Sequence, residues 1–212
     1  MPAFFFLKRE EKIYILLTEL ASSLCEASLL SRKSTADSAL PDYHLNLLQA
    51  VKKRGDRAAN LVWKETSRQF VLPFDPEDIT ALARQMNKVL FMIVLIAENI
   101  SSYQINAGQE KELSGMIIIL DSMVREIYQL IASLPDLKSR RRQIGNKCEA
   151  IRAYREQGQL LYLKGTGGLY RQENLKAGDM LMRQQVYMTA ERALDSCYDL
   201  SYTIREMTIK YV

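Results

Sequence analysis

Residues 70–79 read Phe-Val-Leu-Pro-Phe-Asp-Pro-Glu-Asp-Ile, and this stretch ends one predicted helix and begins the next. Pro73 biases the residue before it away from helical backbone angles. Asp75 is then a predicted N-cap whose side chain accepts backbone N–H bonds, and Pro76 occupies the first helical position, where no donor is needed. The acidic residues that follow favour the positive end of a helix. The stretch therefore predicts a sharp junction between two long helices.

Apolar residues recur at helical spacing on both sides of this junction, and no stretch alternates with the period of two that is typical of a strand. Six long helices joined by short loops are expected to pack as antiparallel neighbours, and their lengths predict two consecutive three-helix units. Gly108 is expected to end the third helix in a left-handed conformation. The predicted helices run over about 11–30, 42–70, 75–106, 109–134, 136–164 and 175–211, with a Gly-Thr-Gly-Gly break at 165–168.

The composition is that of a folded, globular chain. The 212 residues are 48% hydrophobic and 25% charged, which allows a sizeable core in one large domain or two small ones. The net charge of +4 is modest and predicts no particular partner. Neither basic cluster, at residues 52–57 or 140–142, is interleaved with aromatic residues, so nucleic-acid binding is not expected. A solvated helix face accounts for both, and contact of Arg140, Arg141 and Arg142 with phosphate or an anionic membrane is the alternative.

Cysteine usage and hydropathy indicate a cytoplasmic protein. The three cysteines, Cys25, Cys148 and Cys197, are odd in number and lie within helical patterns, as reduced thiols do in a cytosol. No apolar segment followed by small cleavage residues marks a signal peptide. The longest uninterrupted apolar run, Val89 to Ala97, is about half of the length that a spanning helix needs. We therefore expect no transmembrane segment, and any membrane contact should be peripheral.

The run from Val89 to Ala97 is apolar on every side of a helix. Such a helix lies at the centre of a bundle or carries a contact surface. Ile117 to Leu120 form a second, shorter run on the fourth helix, and packing of the two runs against each other would explain both. Their apolar excess is also compatible with a dimer.

The junction at residues 70–79 resembles the one between the second and third helices of PhoU-like proteins, in the branch of Pit accessory proteins described as phosphate transport regulators. The resemblance extends in register over nearly the whole chain. It implies an all-α fold of six long antiparallel helices, arranged as two consecutive three-helix bundles. These form a single domain over residues 1–212, with pseudo-repeats at about 8–107 and 109–212. Because PhoU-like proteins commonly self-associate, a homo-oligomer such as a dimer is also implied.

Acidic residues one helical turn apart are the strongest candidates for chemistry. Glu191 and Asp195 lie at positions i and i+4, and Asp199 continues the row, so the three share a helix face. Stacked carboxylates suit a hard cation or iron when a neighbouring helix presents a second pair. Such rows also occur on the solvated faces of most helical proteins, which is the simpler explanation of this one.

The resemblance implies four E-x-x-x-D pairs, on the second and third helices of each repeat, and only the last pair is intact. On the second helix Asp56 takes the place of the motif Asp, but Lys52 replaces the Glu. The other two pairs fall at non-acidic positions, namely Asn87, Phe91, Lys147 and Ile151. A multinuclear cluster is therefore not expected, and the remaining candidate ligands for a divalent metal or iron are Asp56, Glu191, Asp195 and Asp199.

The substitutions suggest that lysines replace the metal. Lys52 and Lys147 are predicted to occupy equivalent places in the two repeats and to neutralise the remaining acids. Lys147 is expected near Glu191 and Asp195. Phe91 is predicted to fill the site of the first repeat with an apolar ring. The fold would then persist without a cofactor.

Enzyme chemistry is not indicated. His44 is the only imidazole base available to a serine or cysteine nucleophile, and the glycine-rich residues 164–168 lack the spacing and the preceding strand of a phosphate-binding loop. The resemblance implies instead a non-enzymatic cytoplasmic regulator or accessory protein of inorganic phosphate transport, which contacts a transporter or its signalling proteins. The alternatives are a metal-binding or ion-storage bundle and a diverged helical scaffold unrelated to phosphate.

Overall fold

The computed structural model describes the backbone of residues 2–33, 42–67 and 74–212, and the side chains of residues 11–33, 43–67 and 74–212. Within these residues the chain forms six α-helices and no strand, which confirms the predicted all-α fold class. The helices are α1 (Pro2–Lys33), α2 (Asp42–Thr66), α3 (Pro76–Ser102), α4 (Lys111–Ala132), α5 (Leu137–Leu169) and α6 (Ala177–Tyr211), with a 3₁₀ turn at Leu134–Asp136 between α4 and α5.

Two three-helix bundles lie side by side. In the first bundle α1, α2 and α3 contact one another, and in the second α4, α5 and α6 do the same. The bundles meet where α1 packs on α4 and where α3 packs on α6. The helices α2 and α5 therefore lie at the two outer edges, and the inner helices share one continuous hydrophobic core.

The apolar run on α3 lies in this core. Most of the side chains from Val89 to Ala97 are buried, because α3 packs against α1, α2 and α6 on three sides. The expected packing of this run against Ile117 to Leu120 is wrong, since α3 and α4 are not neighbours and α1 and α6 lie between them. Each run therefore contributes mainly to the core of the chain itself, and only Phe91 and Ile118 are exposed.

The junction stretch begins α3 as the sequence predicts. Residues 70–73 lie outside the described residues, but Asp75 occupies the N-cap and Pro76 follows it at the start of the helix. The backbone carbonyl of Asp75 accepts the N–H groups of Asp78 and Ile79 at 3.0 and 3.3 Å. The side chain of Asp75 makes no capping bond, contrary to expectation, because its Oδ2 accepts a 2.6 Å charge-assisted bond from Lys210 Nζ.

The end of α6 thereby holds the start of α3. Lys210 Nζ also lies 2.8 Å from Asp78 Oδ2, and the hydroxyl of Tyr211 donates to the same oxygen at 2.6 Å. The Tyr211 hydroxyl accepts the backbone N–H of Asp75 at 2.8 Å, and its ring lies 5.0 Å from that of Phe74. These five residues, which we call the terminal clamp, join positions more than 130 residues apart in sequence.

The predicted break at residues 165–168 is wrong, because α5 continues to Leu169. Gly165 lies against the ring of Tyr187 on α6, where an added Cβ would come within 2.4 Å of the ring carbon Cε1. This glycine is therefore needed for the close approach of α5 and α6, and it does not end the helix.

The third helix ends earlier than predicted, at Ser102. The left-handed residue in the connection to α4 is Gln104, with φ of 52°, and no glycine in the described residues has a positive φ. The proposed role of Gly108 as a left-handed helix end is therefore wrong.

Two helical segments are long and apolar enough to cross a membrane by length and composition alone. They are Glu11–Lys33 and Pro76–Ser102. A core helix of a soluble protein meets the same criterion, and 56% and 50% of the most apolar 18 residues of the two segments are buried inside this protein. Their hydrophobicity is thus explained by the core described above.

Substitution of Gly165 by alanine is expected to destabilise the protein by about 1–3 kcal/mol, because the new methyl group overpacks against Tyr187. Gly145 on the same helix is the matched control, since a Cβ there would meet nothing within 4 Å. Gly145→Ala should stabilise the protein by about 0.5–1 kcal/mol through helix propensity alone. Urea unfolding of the two variants measures both changes, and equal effects would contradict the close approach of α5 and α6.

Loss of the Asp75 charge is expected to destabilise the protein fully near neutral pH and progressively less as the pH falls below the usual carboxyl pKa. The hydrogen bond from Lys210 holds the pKa of Asp75 below its ordinary value of 3.8. A lowered pKa contributes stability that is present above the unfolded-state value and is lost as the pH falls through the folded-state value. Urea unfolding of the parent and of Asp75→Asn should therefore differ near neutral pH and converge in acid well below pH 3.8. Additive effects of Asp75→Asn and Lys210→Met at neutral pH would argue against the clamp.

Candidate functional site

The first group of candidate residues lies between α2 and α3. Lys52 Nζ is 2.9 Å from Asp56 Oδ2, and Asn87 Nδ2 donates to Asp56 Oδ1 at 3.0 Å. Burial by itself would raise the pKa of Asp56, but the hydrogen bonds from Lys52 and Asn87 outweigh it and lower the pKa. The single carboxylate of this group is therefore ionised and already holds a cation from its own helix.

The second group lies between α5 and α6. Arg155 Nε donates to Asp195 Oδ1 at 2.9 Å, and Arg155 Nη1 donates to Gln159 Oε1 at 3.2 Å. Glu191 lies one turn before Asp195, and its pKa is raised, first by burial and then by the negative charge of Asp195. The intact acidic pair is thus compensated by a guanidinium from the neighbouring helix.

Glycine contacts align the two groups with each other. An added Cβ would lie 2.2 Å from Leu90 Cδ2 at Gly55 of α2, and 2.3 Å from Leu194 Cδ1 at Gly158 of α5. Taking these contacts as equivalent, the position of Lys52 matches that of Arg155 on α5. On the third helix of each bundle the same alignment pairs Asn87 with Glu191 and Phe91 with Asp195.

The predicted placement of the α5 motif at Lys147 and Ile151 is therefore wrong by eight residues, or about two helical turns. Lys147 Nζ binds Glu126 Oε2 of α4 at 2.8 Å, and it does not neutralise Glu191 and Asp195. Ile151 is fully buried in the core. Positions two helical turns apart lie on nearly the same face of a helix, so a motif can be aligned at either one. The helix α5 has no internal break that would fix the alignment. A cation of the chain does lie beside the acidic pair, but it is Arg155 of α5 and not Lys147.

The role of Phe91 in the site of the first repeat stays a prediction. Its side chain is 50% exposed on α3, close to the 46% of the aligned Asp195. The amide oxygen of Asn87, one turn earlier, is buried and has no hydrogen-bond partner among the described residues. Around Asp56 the available oxygen donors are thus one carboxylate and one neutral amide.

The four candidate metal ligands do not come together. Asp56 lies between α2 and α3, whereas Glu191 and Asp195 lie on α6 facing α5. Asp199 is exposed one turn further along α6. Across the described ranges, no group of three or more His, Cys, Asp or Glu side chains is placed to hold a metal ion. The donor set does not fit the multinuclear cluster of carboxylate pairs that the resemblance implies.

The three arginines predicted as an anion or membrane contact lie near the start of α5. Arg140 Nη2 is 3.6 Å from Asp136 Oδ2, and all three side chains are exposed. The group is consistent with a solvated helix face, and its anion or membrane contact stays a prediction.

A buried charge that the sequence analysis missed lies between the two bundles. Asp121 of α4 is 3% exposed, and its Oδ1 accepts a 2.8 Å hydrogen bond from Ser28 of α1. Its Oδ2 binds Arg32 of α1 at 3.2 Å and Arg125 of α4 at 3.1 Å. The sequence does contain a signal for this buried charge, because Asp121 is the only charged residue in the stretch at 116–124, where every other residue except Ser122 is apolar. The network ties α1 to α4 and belongs to the architecture of the inner helices.

Comparison with known proteins identifies similar chains. UPF0111 protein YkaA of Bacillus subtilis (strain 168) is 23% identical over 207 residues, which are 96% of this chain and 98% of that protein. A PhoU-like protein from Shewanella oneidensis MR-1 has a TM-score of 0.82 at 13% identity, with 93% of this chain and 99% of the other covered. A second protein of that organism, described as a PhoU-like phosphate regulatory protein, has a TM-score of 0.80 at 15% identity and the same coverage. No family model matches the chain. The fold is that of PhoU-like helical proteins.

Removal of Arg155 is expected to increase the affinity of the chain for a divalent metal. Without the guanidinium, Glu191 and Asp195 become an uncompensated acidic pair, which attracts a divalent cation. Equilibrium dialysis against Mn²⁺ should show binding by Arg155→Ala at least about tenfold tighter than by the parent. Lys147→Ala is the control and should not change the affinity, because Lys147 binds Glu126.

Adding Asp195→Ala to Arg155→Ala should abolish the gain. Stoichiometric iron, zinc or manganese in the parent protein, purified without chelator, would contradict the idea that cations of the chain replace the metal.

Proposed function

We propose that this chain is a non-enzymatic cytoplasmic regulator or accessory protein of inorganic phosphate transport, and that it acts by contact with a transporter or its signalling proteins. The observation that carries the proposal is the agreement in fold, over 93% of the chain, with PhoU-like proteins, one of which is described as phosphate regulatory. The resemblance of the α2–α3 junction supports the same role, with a transporter of the Pit type as the partner.

The chemistry of the described residues supports contact over catalysis. His44, the only histidine of the chain, lies in the first turn of α2 beside the ring of Tyr43. Burial raises the pKa of Cys25 and Cys148 to about 11, and it raises the pKa of Cys197 as well. Protonated thiols of this kind are poor nucleophiles at neutral pH. A regulator needs none of these groups to be reactive.

The paired charges favour the same mechanism over one that depends on a bound ion. Asp56 and Asp195 each already hold a cation of the chain, Lys52 and Arg155 respectively. These two carboxylates are therefore already compensated by cations of the chain. A metal-binding or ion-storage bundle, the rival function, requires carboxylates that are free to take up ions.

The hairpin of α5 and α6 offers an apolar contact surface. Leu160 and Leu163 lie three residues apart, so they share a face of α5, and they are 69% and 58% exposed. Tyr170 follows at the end of α5 with 60% exposure, and Leu181 and Met182 are exposed near the start of α6. Contiguous exposed apolar residues mark interaction sites in soluble proteins, and we propose that these residues of the hairpin form one. We call these five residues the hairpin patch.

Phosphate uptake in cells that lack the gene for this chain tests the proposal. Deletion is expected to change the initial rate of radiolabelled phosphate uptake, and expression of the parent chain should restore it. The double variant Leu160→Ser and Leu163→Ser should fail to restore the rate, because it removes both exposed leucines of α5 from the patch. The matched control, Ile15→Ser and Leu29→Ser on α1, changes side chains that are 58% and 45% exposed and should restore the rate.

Unchanged uptake in the deletion strain would overturn the proposed role in transport. Restoration by the hairpin variant would instead place the contact elsewhere on the surface. The variant Glu191→Gln with Asp195→Asn separates the two rival functions, since it should restore uptake if contact matters and fail if ion binding matters.

Self-association into a dimer stays a prediction. Sedimentation velocity of the parent and of the hairpin variant tests whether a second copy, and not a transporter, occupies the patch. A parent dimer that the hairpin substitutions dissociate would assign the patch to self-association.

A further inference from the structure

A cleft of about 520 Å³ lies at one end of the second bundle. It is bordered by the start of α4, the last two turns of α5, the connection that follows α5, and the second turn of α6. Its volume is within the range of sites that hold small molecules. None of the residues that line the cleft belongs to the ion pairs of Asp56 or Asp195.

The floor of the cleft contains a carboxylate that the chain itself compensates. The side chain of Glu110 is only 10% exposed, and its Oε1 binds Arg183 Nη1 of α6. Its Oε2 is fully buried, so a ligand in the cleft does not contact it. Burial raises the pKa of Glu110, although the charge of Arg183 and a hydrogen bond from the Tyr187 hydroxyl oppose the effect. The carboxylate therefore does not compete for the remaining cations of the cleft.

The rim of the cleft is positively charged. Lys111, Lys164, Arg171 and Arg183 line it, against two carboxylates, Glu110 and Glu112. Lys164 is bound to Glu112 at 2.8 Å and Arg183 to Glu110, so Lys111 and Arg171 provide an excess of two positive charges. An excess of this size matches a phosphate monoester, which carries a charge of about −1.5 to −2 at neutral pH.

The wall formed by α5 leaves room for a ligand. A Cβ at Gly168 would meet nothing within 4 Å, so this glycine opens the cleft without serving the packing of the helices. Gly165, one turn earlier, is instead in contact with Tyr187, which also lines the cleft. The two glycines therefore have different roles, and only Gly168 can be enlarged without a clash.

We infer that this cleft binds an organic phosphate monoester, with the phosphate group bound by Lys111 and Arg171 and the organic part lying along the open wall at Gly168. Inorganic phosphate satisfies the cations but leaves the space at Gly168 empty, so it should bind more weakly. The inference does not rest on the proposed role in phosphate transport, and either can fail without the other.

Isothermal titration calorimetry of the full chain tests the inference with three probes, which are AMP, glycerol phosphate and inorganic phosphate. At least one of the two organic phosphates should bind about tenfold or more tightly than inorganic phosphate. Gly168→Leu fills the open space and should weaken that binding by about tenfold or more. Gly145→Leu, on the same helix and also in open space, is the matched control and should leave the affinity unchanged.

A charge variant makes the test independent of the shape of the cleft. Arg171→Glu should weaken binding of the organic phosphate and reduce its dependence on salt, whereas Arg142→Glu, exposed near the other end of α5, should not. The inference is overturned if neither organic phosphate binds more tightly than inorganic phosphate. It is also overturned if the parent affinity survives both Gly168→Leu and Arg171→Glu.

Discussion

The helix α3 is apolar on every side along the run from Val89 to Ala97, and the whole molecule depends on covering most of it. The helices α1 and α2 cover two sides, and the third side is covered by α6, which comes from the other half of the chain. The Oγ of Ser196 on α6 even reaches the sulfur of Met92 on α3, at 3.6 Å. Because burial of apolar surface is the main driving force of folding, the two bundles cannot separate without exposing this helix.

Charged side chains lie mostly at the surface of this fold, whereas most of the apolar side chains pack between the helices. The inner helices are joined by one buried carboxylate, Asp121, which is satisfied from both bundles. The outer helices α2 and α5 supply the cations of partly exposed ion pairs, such as those of Lys52 with Asp56 and of Arg155 with Asp195, which each contribute little to stability. Such positions can exchange an acid for a lysine or an arginine without loss of the fold. This explains how the helical architecture is kept while the implied metal motifs are lost.

Prediction from sequence succeeded for features that depend on a single helix, such as its start and its apolar face. It failed for features that depend on the contact between two helices. The N-cap position of Asp75 is local, but the partner of its carboxylate, Lys210, lies 135 residues away. The glycines at 165–168 have the composition of a break, yet one of them packs against Tyr187. The register of α5 was misplaced by two turns, since a regular helix offers no landmark of its own and its neighbours decide which residues face α6.

The sequence by itself determined the helices, their apolar faces, the α2–α3 junction and the resemblance to PhoU-like proteins, because these follow from periodicity and local backbone preference. The tertiary structure alone decided that Arg155 pairs with Asp195, that Asp56 lies apart from the other carboxylates, and that Glu110 faces a cleft. Each of these depends on the register and contact of helices that are distant in sequence. Local patterns contain no information about that contact.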